Sequence, residues 1–271
     1  MPRDLADVAD YFLPKASAAS RAPHAPGVLG SRPAEPMRVS RPAALPIVAV
    51  PIGERDVVRA AFVWNLAVEV ARLGASATLV APALPEPSSI WPEPGPGPVG
   101  AEVVLTPAQG LAQLHRAALD LAVARAADST DGGLVLVRVP PAWLGRAAEG
   151  RALLRWVLLF ATTERVDLME TYGLAKRVLA ASHEARVGVT IHGARRVVEA
   201  QSAFLHLAGI AARHLGRDLA SYGLLVDDLH IYRAIVSQRP IGLEHPQSRA
   251  ARALRDVARL LLEDARKMPL A

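Results

Sequence analysis

Short apolar runs alternate with amphipathic stretches along the chain from Leu45 onward. The runs are apolar on both faces and predict strands near residues 46–50, 77–81, 103–105, 134–139, 157–161, 187–191 and 222–226. Between them, the spacing of apolar residues predicts helices near 56–73, 107–127, 167–182, 195–215, 229–237 and 247–266. Doubly buried strands separated by helices are typical of a mostly parallel sheet covered on both sides. The pattern therefore predicts a three-layer α/β/α domain over residues 46–271.

One segment breaks this alternation of strands and helices. Pro82–Pro98 contains seven prolines together with Gly95 and Gly97, a composition that neither a helix nor a central strand accepts. We expect an irregular loop that leaves the carboxyl end of the second strand. Ligands of open α/β sheets bind along this edge, so the loop is expected beside any ligand site.

The first 45 residues have a different character and predict a disordered tail. Pro14–Pro46 is rich in proline, alanine, serine and arginine, and it cannot bury enough apolar surface to offset the entropy of ordering. Before it lies a short amphipathic stretch, in which one helical face carries Leu5, Val8, Phe12 and Leu13. This face suits a peptide that docks in the groove of a partner protein. An arm folded onto its own domain is the alternative, and the sequence leaves both open.

Composition limits the class of protein. Hydrophobic residues make up 51% of the 271 residues, which supports a well-buried core, and no apolar run reaches the ~20 residues of a membrane span. The chain has no cysteine, and its amino terminus lacks the basic and apolar regions of a secretory signal, so we expect a cytoplasmic protein. The net charge is +5 and comes mostly from arginine. These charges are spread along the chain, which disfavours nucleic acid or a membrane surface as the main partner.

The most informative segment follows the first predicted strand. Gly53–Ala61 joins that strand to a helix that carries Asn65-Leu66-Ala67, which is the place of the phosphate-binding loop in nucleotide-binding α/β proteins. Such a loop needs glycines for close approach of the backbone, a lysine for the terminal phosphates and a hydroxyl for magnesium. Here the loop has one glycine, Gly53, and neither a lysine nor a hydroxyl.

In these residues the chain resembles the MinD/ParA family of P-loop ATPases, in which the first strand is followed by Gly-Lys-Gly-Gly-Val-Gly-Lys-Thr and a helix with Asn-Leu-Ala. Gly53 aligns with the first glycine of that motif and Val57 with its valine. The other positions depart from the motif: Glu54 replaces the signature lysine, Arg55, Asp56 and Val58 replace glycines, Arg59 replaces the phosphate lysine, and Ala60 replaces the magnesium threonine. Arg138 stands where the Walker B strand of the family has an aspartate, and His192 where the family often has an adenine-contacting asparagine.

Two further segments extend the resemblance over roughly residues 45–266. Thr162–Lys176 is similar to a segment of the branch that controls flagellar number and placement, with its threonine, glutamate, leucine, tyrosine and lysine retained. Pro246–Arg252 resembles the Pro-x-Ser-x-Ala-Ala-Arg pattern near the carboxyl end of the family's domain. The resemblance implies a P-loop NTPase-like α/β fold, in which a mostly parallel sheet lies between two layers of helices.

The replaced residues change the chemistry expected at the loop. A helix N-terminus attracts phosphate through its free amides and partial positive charge, but Glu54 and Asp56 place carboxylates there. Asp56 is positioned to cap the following helix, and Arg59, three residues later, to pair with it. Val58 adds a side chain where the family brings backbone against phosphate. We therefore predict a degenerate loop that caps itself, with no catalytic residue, no metal and no cofactor.

Two alternatives stay open at this stage. Arg55, Arg59 and Arg138 would form a magnesium-free anion site in an ATP-binding switch of the same family, because arginine can replace lysine and metal charge where only binding is needed. Arg195 and Arg196 would contact phosphates if the protein instead bound nucleic acid or an anionic membrane surface.

The resemblance and the departures from it together predict a non-catalytic scaffold or regulator in bacterial flagellar motility, polarity or positioning. A relative that keeps the folded surface and loses the switch acts through protein partners. The expected partner is an active MinD/ParA-like paralogue or a flagellar or polarity protein, and a homodimer is a further arrangement. Such a partner would recruit this cytoplasmic protein to the membrane or to the cell pole.

Overall fold

The computed structural model describes residues 43–83, 91–146 and 149–267. The predicted partner-binding face, formed by Leu5, Val8, Phe12 and Leu13, lies outside the described residues, as does nearly all of the predicted tail. Its role therefore stays a prediction.

Eight strands and seven α-helices lie within the described residues. The strands are β1 Ile47–Pro51, β2 Ser76–Pro82, β3 Gly95–Pro96, β4 Ala101–Thr106, β5 Gly133–Val139, β6 Trp156–Ala161, β7 Arg186–Ala194 and β8 Ala220–Val226. The helices are α1 Val57–Arg72, α2 Leu111–Asp128, α3 Arg165–Ala181, α4 Val197–Leu215, α5 Leu229–Ser237, α6 Ile241–Glu244 and α7 Arg249–Lys267. None of the described helices has the length and apolar character that crossing a bilayer requires.

All eight strands belong to one sheet, in the order β3-β4-β2-β5-β1-β6-β7-β8. Neighbouring strands are parallel except for β3 and β4. Strand β1 lies between β5 and β6, so the residues that follow β1 are surrounded by the carboxyl ends of both neighbours. The predicted mostly parallel sheet is confirmed, and this central edge is where open α/β sheets bind ligands.

Helices cover the sheet on both sides. Helices α1 and α7 pack against each other, and between them they contact β2, β5 and β8. Helices α3 and α4 also pack against each other, and they contact β6 and β7 respectively. The central strands β5 and β6 are buried along their whole length because layers of helices press on both faces. The three-layer α/β/α prediction is therefore confirmed.

The prediction of an irregular loop over Pro82–Pro98 is wrong in part. Gly95–Pro96 forms the short strand β3, which pairs antiparallel with β4 through Gly95 opposite Val103 and Pro96 opposite Glu102. A proline fits an edge strand because its missing amide can face away from the ladder. A strand of two residues shows no alternation of apolar and polar positions, so the sequence pattern could not reveal it. Residues 84–90 of the segment lie outside the described residues.

Asn65, the only asparagine of the chain, links α1 to the short helix α6. Its side-chain amide donates to the carbonyl of Ala61 at 2.8 Å, and its Oδ1 accepts a hydrogen bond from the amide of Ile241 at 2.8 Å. The Ile241 amide lies in the first turn of α6, where no intrahelical partner exists. The asparagine of the Asn65-Leu66-Ala67 motif thus has a packing role in this protein.

Asn65→Leu tests this role. The change leaves the buried Ile241 amide without an acceptor, so we expect the free energy of unfolding to fall by about 1–3 kcal/mol. Urea unfolding followed by circular dichroism measures the loss. Gln201→Leu, the matching change at a half-buried site on α4, should cost less than about 0.5 kcal/mol. Equal losses for the two variants would remove the linking role of Asn65.

Candidate functional site

The turn between β1 and α1 lies at the carboxyl edge of the sheet and is closed on itself. The amide of Asp56 donates to the carbonyl of Gly53 at 3.2 Å, and the amide of Val57 donates to the carbonyl of Arg55 at 3.1 Å. Glu54 and Arg55 are exposed. Two amides of this turn are therefore already satisfied by carbonyls of the same turn.

Asp56 forms the predicted cap of α1. Its Oδ1 accepts a hydrogen bond from the amide of Arg59 at 3.0 Å, and its Oδ2 accepts one from Arg59 Nη1 at 2.9 Å. The carboxylate thus accepts from one free amide at the positive end of the helix dipole, the kind of position at which a helix start binds phosphate. The predicted capping by Asp56 and its pairing with Arg59 are both confirmed.

Arg59 has a second carboxylate partner, Asp167, which the sequence did not indicate. Asp167 lies in the first turn of α3, immediately after β6, and its Oδ1 accepts a hydrogen bond from Arg59 Nη2. The other oxygen of Asp167 accepts a hydrogen bond from the amide of Thr162. The two carboxylates hold the guanidinium from two different elements. We call Asp56, Arg59 and Asp167 the Arg59 cluster.

The members of the Arg59 cluster support each other's charges. Burial alone would raise the pKa of Asp167, but the Thr162 amide and the Arg59 guanidinium outweigh burial and hold this pKa below its usual range. Burial also opposes the charge of Arg59, yet Asp167 and Asp56 raise its pKa above the ordinary value. One guanidinium between two carboxylates leaves the cluster with a net negative charge.

His192, the residue aligned with the base-contacting asparagine of the family, lies beside the Arg59 cluster in aromatic surroundings. Its ring centroid is 5.1 Å from that of Phe62 and 6.4 Å from that of Phe160. Burial and the positive charge of Arg59 lower the pKa of His192 to about 4, so the imidazole is neutral at pH 7. Contact of His192 with a nucleotide base stays a prediction.

Arg138, which the sequence resemblance aligns with the Walker B aspartate, lies against an aromatic ring. Its side chain is 3% exposed on β5, its Nη2 donates to the carbonyl of Gly53 at 3.3 Å, and its guanidinium carbon lies 4.1 Å from the ring centroid of Trp91. Burial lowers its pKa to about 10, against the opposing effect of Glu54 and Asp56, and the group remains charged at pH 7. Arg138 forms no ion pair with any residue that the structure describes.

The three arginines of the alternative anion site therefore differ in their surroundings. Arg59 donates to two carboxylates, Arg138 stacks on an aromatic ring, and Arg55 is exposed. At the remaining loop positions Val58 is half-buried and Ala60 is buried. Among residues 43–83, 91–146 and 149–267, no cluster of histidine, aspartate or glutamate has the form of a metal site.

Asp167 and Trp91 are the two site residues that sequence reasoning missed. Asp167 lies in the first turn of the helix that follows β6, and the segments after the parallel strands all lie at the same edge of the sheet. This rule places Asp167 near the β1–α1 turn, but nothing in the spacing of the sequence pairs it with Arg59. Trp91 lies in the proline-rich segment, where no periodic pattern relates a side chain to the sheet.

Solved structures with this fold include MinD and ParA ATPases. The MinD cell division protein of Aquifex aeolicus is similar with a TM-score of 0.58 and 13% identity, covering 83% of this chain and 99% of that one. The MinC:MinD cell division protein complex of Aquifex aeolicus gives a TM-score of 0.58 and 14% identity, covering 83% of this chain and 98% of that one. A ParA family ATPase from Chlorobium tepidum TLS gives a TM-score of 0.51 and 11% identity, covering 81% of this chain and 99% of that one.

At these identities the likeness shows the fold alone. No protein-family model matches the chain, and no curated protein matches it either. The protein thus has a MinD/ParA-like fold, as the sequence resemblance implied.

Gly53→Ala tests whether the β1–α1 turn requires a glycine at this position, as a phosphate-binding loop does. An added Cβ would meet only Asp56 Cβ, at 4.0 Å, so we expect the free energy of unfolding to change by less than about 0.5 kcal/mol. Gly188→Ala is the contrasting variant, because its Cβ would lie 2.1 Å from the ring of Tyr222 and should cost about 1–3 kcal/mol. Thermal unfolding compares the two. A loss at Gly53 as large as that at Gly188 would contradict the self-closed turn.

Asp167→Asn tests the charge of the Arg59 cluster through its dependence on pH. The pKa of Asp167 is depressed in the folded protein, so its stabilisation is present above the unfolded pKa of about 4 and is lost as pH falls through the folded value. We expect the variant to be less stable by about 1–2 kcal/mol at pH 7, with the difference vanishing in acid. Urea unfolding between pH 7 and pH 3 measures it. Asp120→Asn, at an exposed site on α2, is the control, and a pH-independent loss for Asp167→Asn would exclude a charged role.

Proposed function

We propose that this chain is a non-catalytic scaffold or regulator of the MinD/ParA type that acts through protein partners. The observation that carries the proposal is the Arg59 cluster. The arginine at the position of the phosphate-binding lysine is held by Asp56 and Asp167, and the cap of α1 is already a carboxylate.

Electrostatics oppose a triphosphate at this position. A carboxylate about 5 Å from a phosphate charge repels it by roughly 3 kcal/mol at an effective dielectric of ~20, which is on the order of a hundredfold in affinity. The Arg59 cluster contains two such carboxylates and a single guanidinium. Releasing Arg59 to bind phosphate would also leave both carboxylates partly buried without their partner.

The residues aligned with the phosphate-loop and Walker B positions do not supply the groups that ATP hydrolysis requires. In-line phosphoryl transfer needs positive charge on the developing oxyanions, which magnesium and a lysine supply in P-loop ATPases. Here alanine, Ala60, stands at the magnesium position of the loop, and Arg138 stands at the Walker B position, stacked on Trp91. The absence of catalysis is therefore part of the proposal.

A role through partners has separate support from the surface. Leu229, Tyr232 and Val236 share one face of α5 and are 62%, 48% and 75% exposed. Exposed apolar stripes of this kind mark protein-binding surfaces. One of the similar solved structures is a complex of MinD with MinC. By analogy, we assign this protein a partner in bacterial positioning, polarity or flagellar control, with the last suggested by the resemblance at Thr162–Lys176.

Nucleotide titration tests the loss of the switch. Isothermal titration with ATP and ADP, each with and without magnesium, should give no saturable heat up to about 1 mM ligand, and the pure protein should release no inorganic phosphate above background. Tight binding of either nucleotide would favour the ATP-binding switch instead.

A variant designed to gain anion binding tests the role of the two carboxylates more stringently. Asp56→Ser keeps a capping oxygen for α1, and Asp167→Asn keeps the shape of the side chain, so the double variant frees Arg59 from both carboxylates with little change in side-chain shape. We expect its affinity for pyrophosphate to exceed that of the wild type at least about tenfold. The double variant Asp120→Asn/Asp131→Asn changes the net charge equally at two exposed sites and should gain nothing. Equal gains in pyrophosphate affinity for the two double variants would show that overall charge, and not the release of Arg59, causes the effect.

A further inference from the structure

A second candidate site lies beside the β1–α1 turn, where Ile52, Ala60 and Arg138 line a cavity. The cavity, of about 300 Å³, opens between α1, the carboxyl ends of β2 and β4, and the segment 91–94. Its described lining is mostly apolar, and Arg138 is the one cation among these residues. Glu93 is the one carboxylate among them. Apolar cavities with a few converging polar groups are the usual form of small-molecule sites.

Two buried donors of this cavity have no acceptor among the described residues. Arg138 is 97% buried, as its 3% exposure implies, and its Nε lacks a hydrogen-bond partner. The indole Nε1 of Trp91, whose ring stacks on that guanidinium at 4.1 Å, is also buried without a partner. Buried donors left unsatisfied are costly, and buried polar groups in native proteins are nearly always hydrogen-bonded. The pair therefore indicates a ligand acceptor.

We propose that this cavity binds a small monocarboxylate with an apolar body. The carboxylate oxygens would accept hydrogen bonds from Arg138 Nε and Trp91 Nε1, and the body would lie against the aliphatic walls. Taking the ~30 Å³ that a water molecule occupies as the unit, the cavity holds about ten non-hydrogen atoms. Octanoate and phenylacetate have this size and this chemistry.

Charge favours a monoanion over a phosphate. Among the described lining residues Arg138 is the one cation and Glu93 is exposed, so a dianion would bring a second charge that no described side chain of the cavity offsets. The apolar walls also favour a hydrocarbon body over the hydrated oxygens of a phosphate group. None of the three residues of the Arg59 cluster is among the described lining residues, although Arg138 also donates to the carbonyl of Gly53 in the β1–α1 turn.

Calorimetric titration of the full chain with octanoate tests the proposal. We expect saturable binding of one octanoate with a dissociation constant below about 1 mM, together with a change in tryptophan fluorescence. 1-Octanol, which has the same chain without the charge, should bind at least tenfold more weakly, because it cannot form the charge-assisted hydrogen bonds. Equal binding of octanoate and 1-octanol would overturn the assignment of Arg138.

Two variants locate the site. Ala81→Leu fills the cavity from β2 without touching its charge and should abolish octanoate binding. Arg138→Gln should weaken it about tenfold to a hundredfold, whereas Arg116→Gln, at an exposed site on α2, should leave it unchanged. If Arg138→Gln does not fold, Ala81→Leu and the comparison with 1-octanol still decide the matter. Unchanged octanoate binding by Ala81→Leu, or no octanoate binding by the wild type at 5 mM (~5 times the expected limit), would contradict the proposal.

Discussion

The two carboxylates around Arg59 are the interaction on which the candidate site depends. Asp56 begins α1 and Asp167 lies in the first turn of α3, so one guanidinium joins the starts of two helices at the central edge of the sheet. Because all three charges are partly shielded from water, breaking either pair would leave a poorly solvated charge behind. The same contacts that order the β1–α1 turn therefore already engage the Arg59 guanidinium.

Along α1, the residue that packs the fold differs from the positions that would bind a nucleotide. Of the phosphate-loop motif that the sequence resemblance supplies, only Gly53 and Val57 match before the helix and in its first turn. Two turns later, Asn65 matches the same pattern and accepts a hydrogen bond from the amide of Ile241, a packing contact that involves no nucleotide.

Most of the fold, but only part of the candidate site, could be predicted from the sequence. Strands such as β6, buried on both faces, leave an unbroken apolar run that is visible without coordinates. The cap by Asp56 is a local contact between residues three apart, so spacing alone predicts it. Asp167 and Trp91 reach their arginine partners from distant parts of the chain, and only the folded sheet edge brings them there. The strand β3 was missed because two residues carry no periodicity.

We propose that the position that receives a triphosphate in the MinD/ParA motif is filled here by the protein's own side chains. A crystal structure determined from crystals grown with saturating ATP and magnesium tests it most directly. The account predicts that Arg59 remains hydrogen-bonded to Asp56 and Asp167 and that no nucleotide is ordered at the β1–α1 turn. Ordered triphosphate at that turn, with the Arg59 guanidinium rotated away from both carboxylates to contact it, would contradict the account.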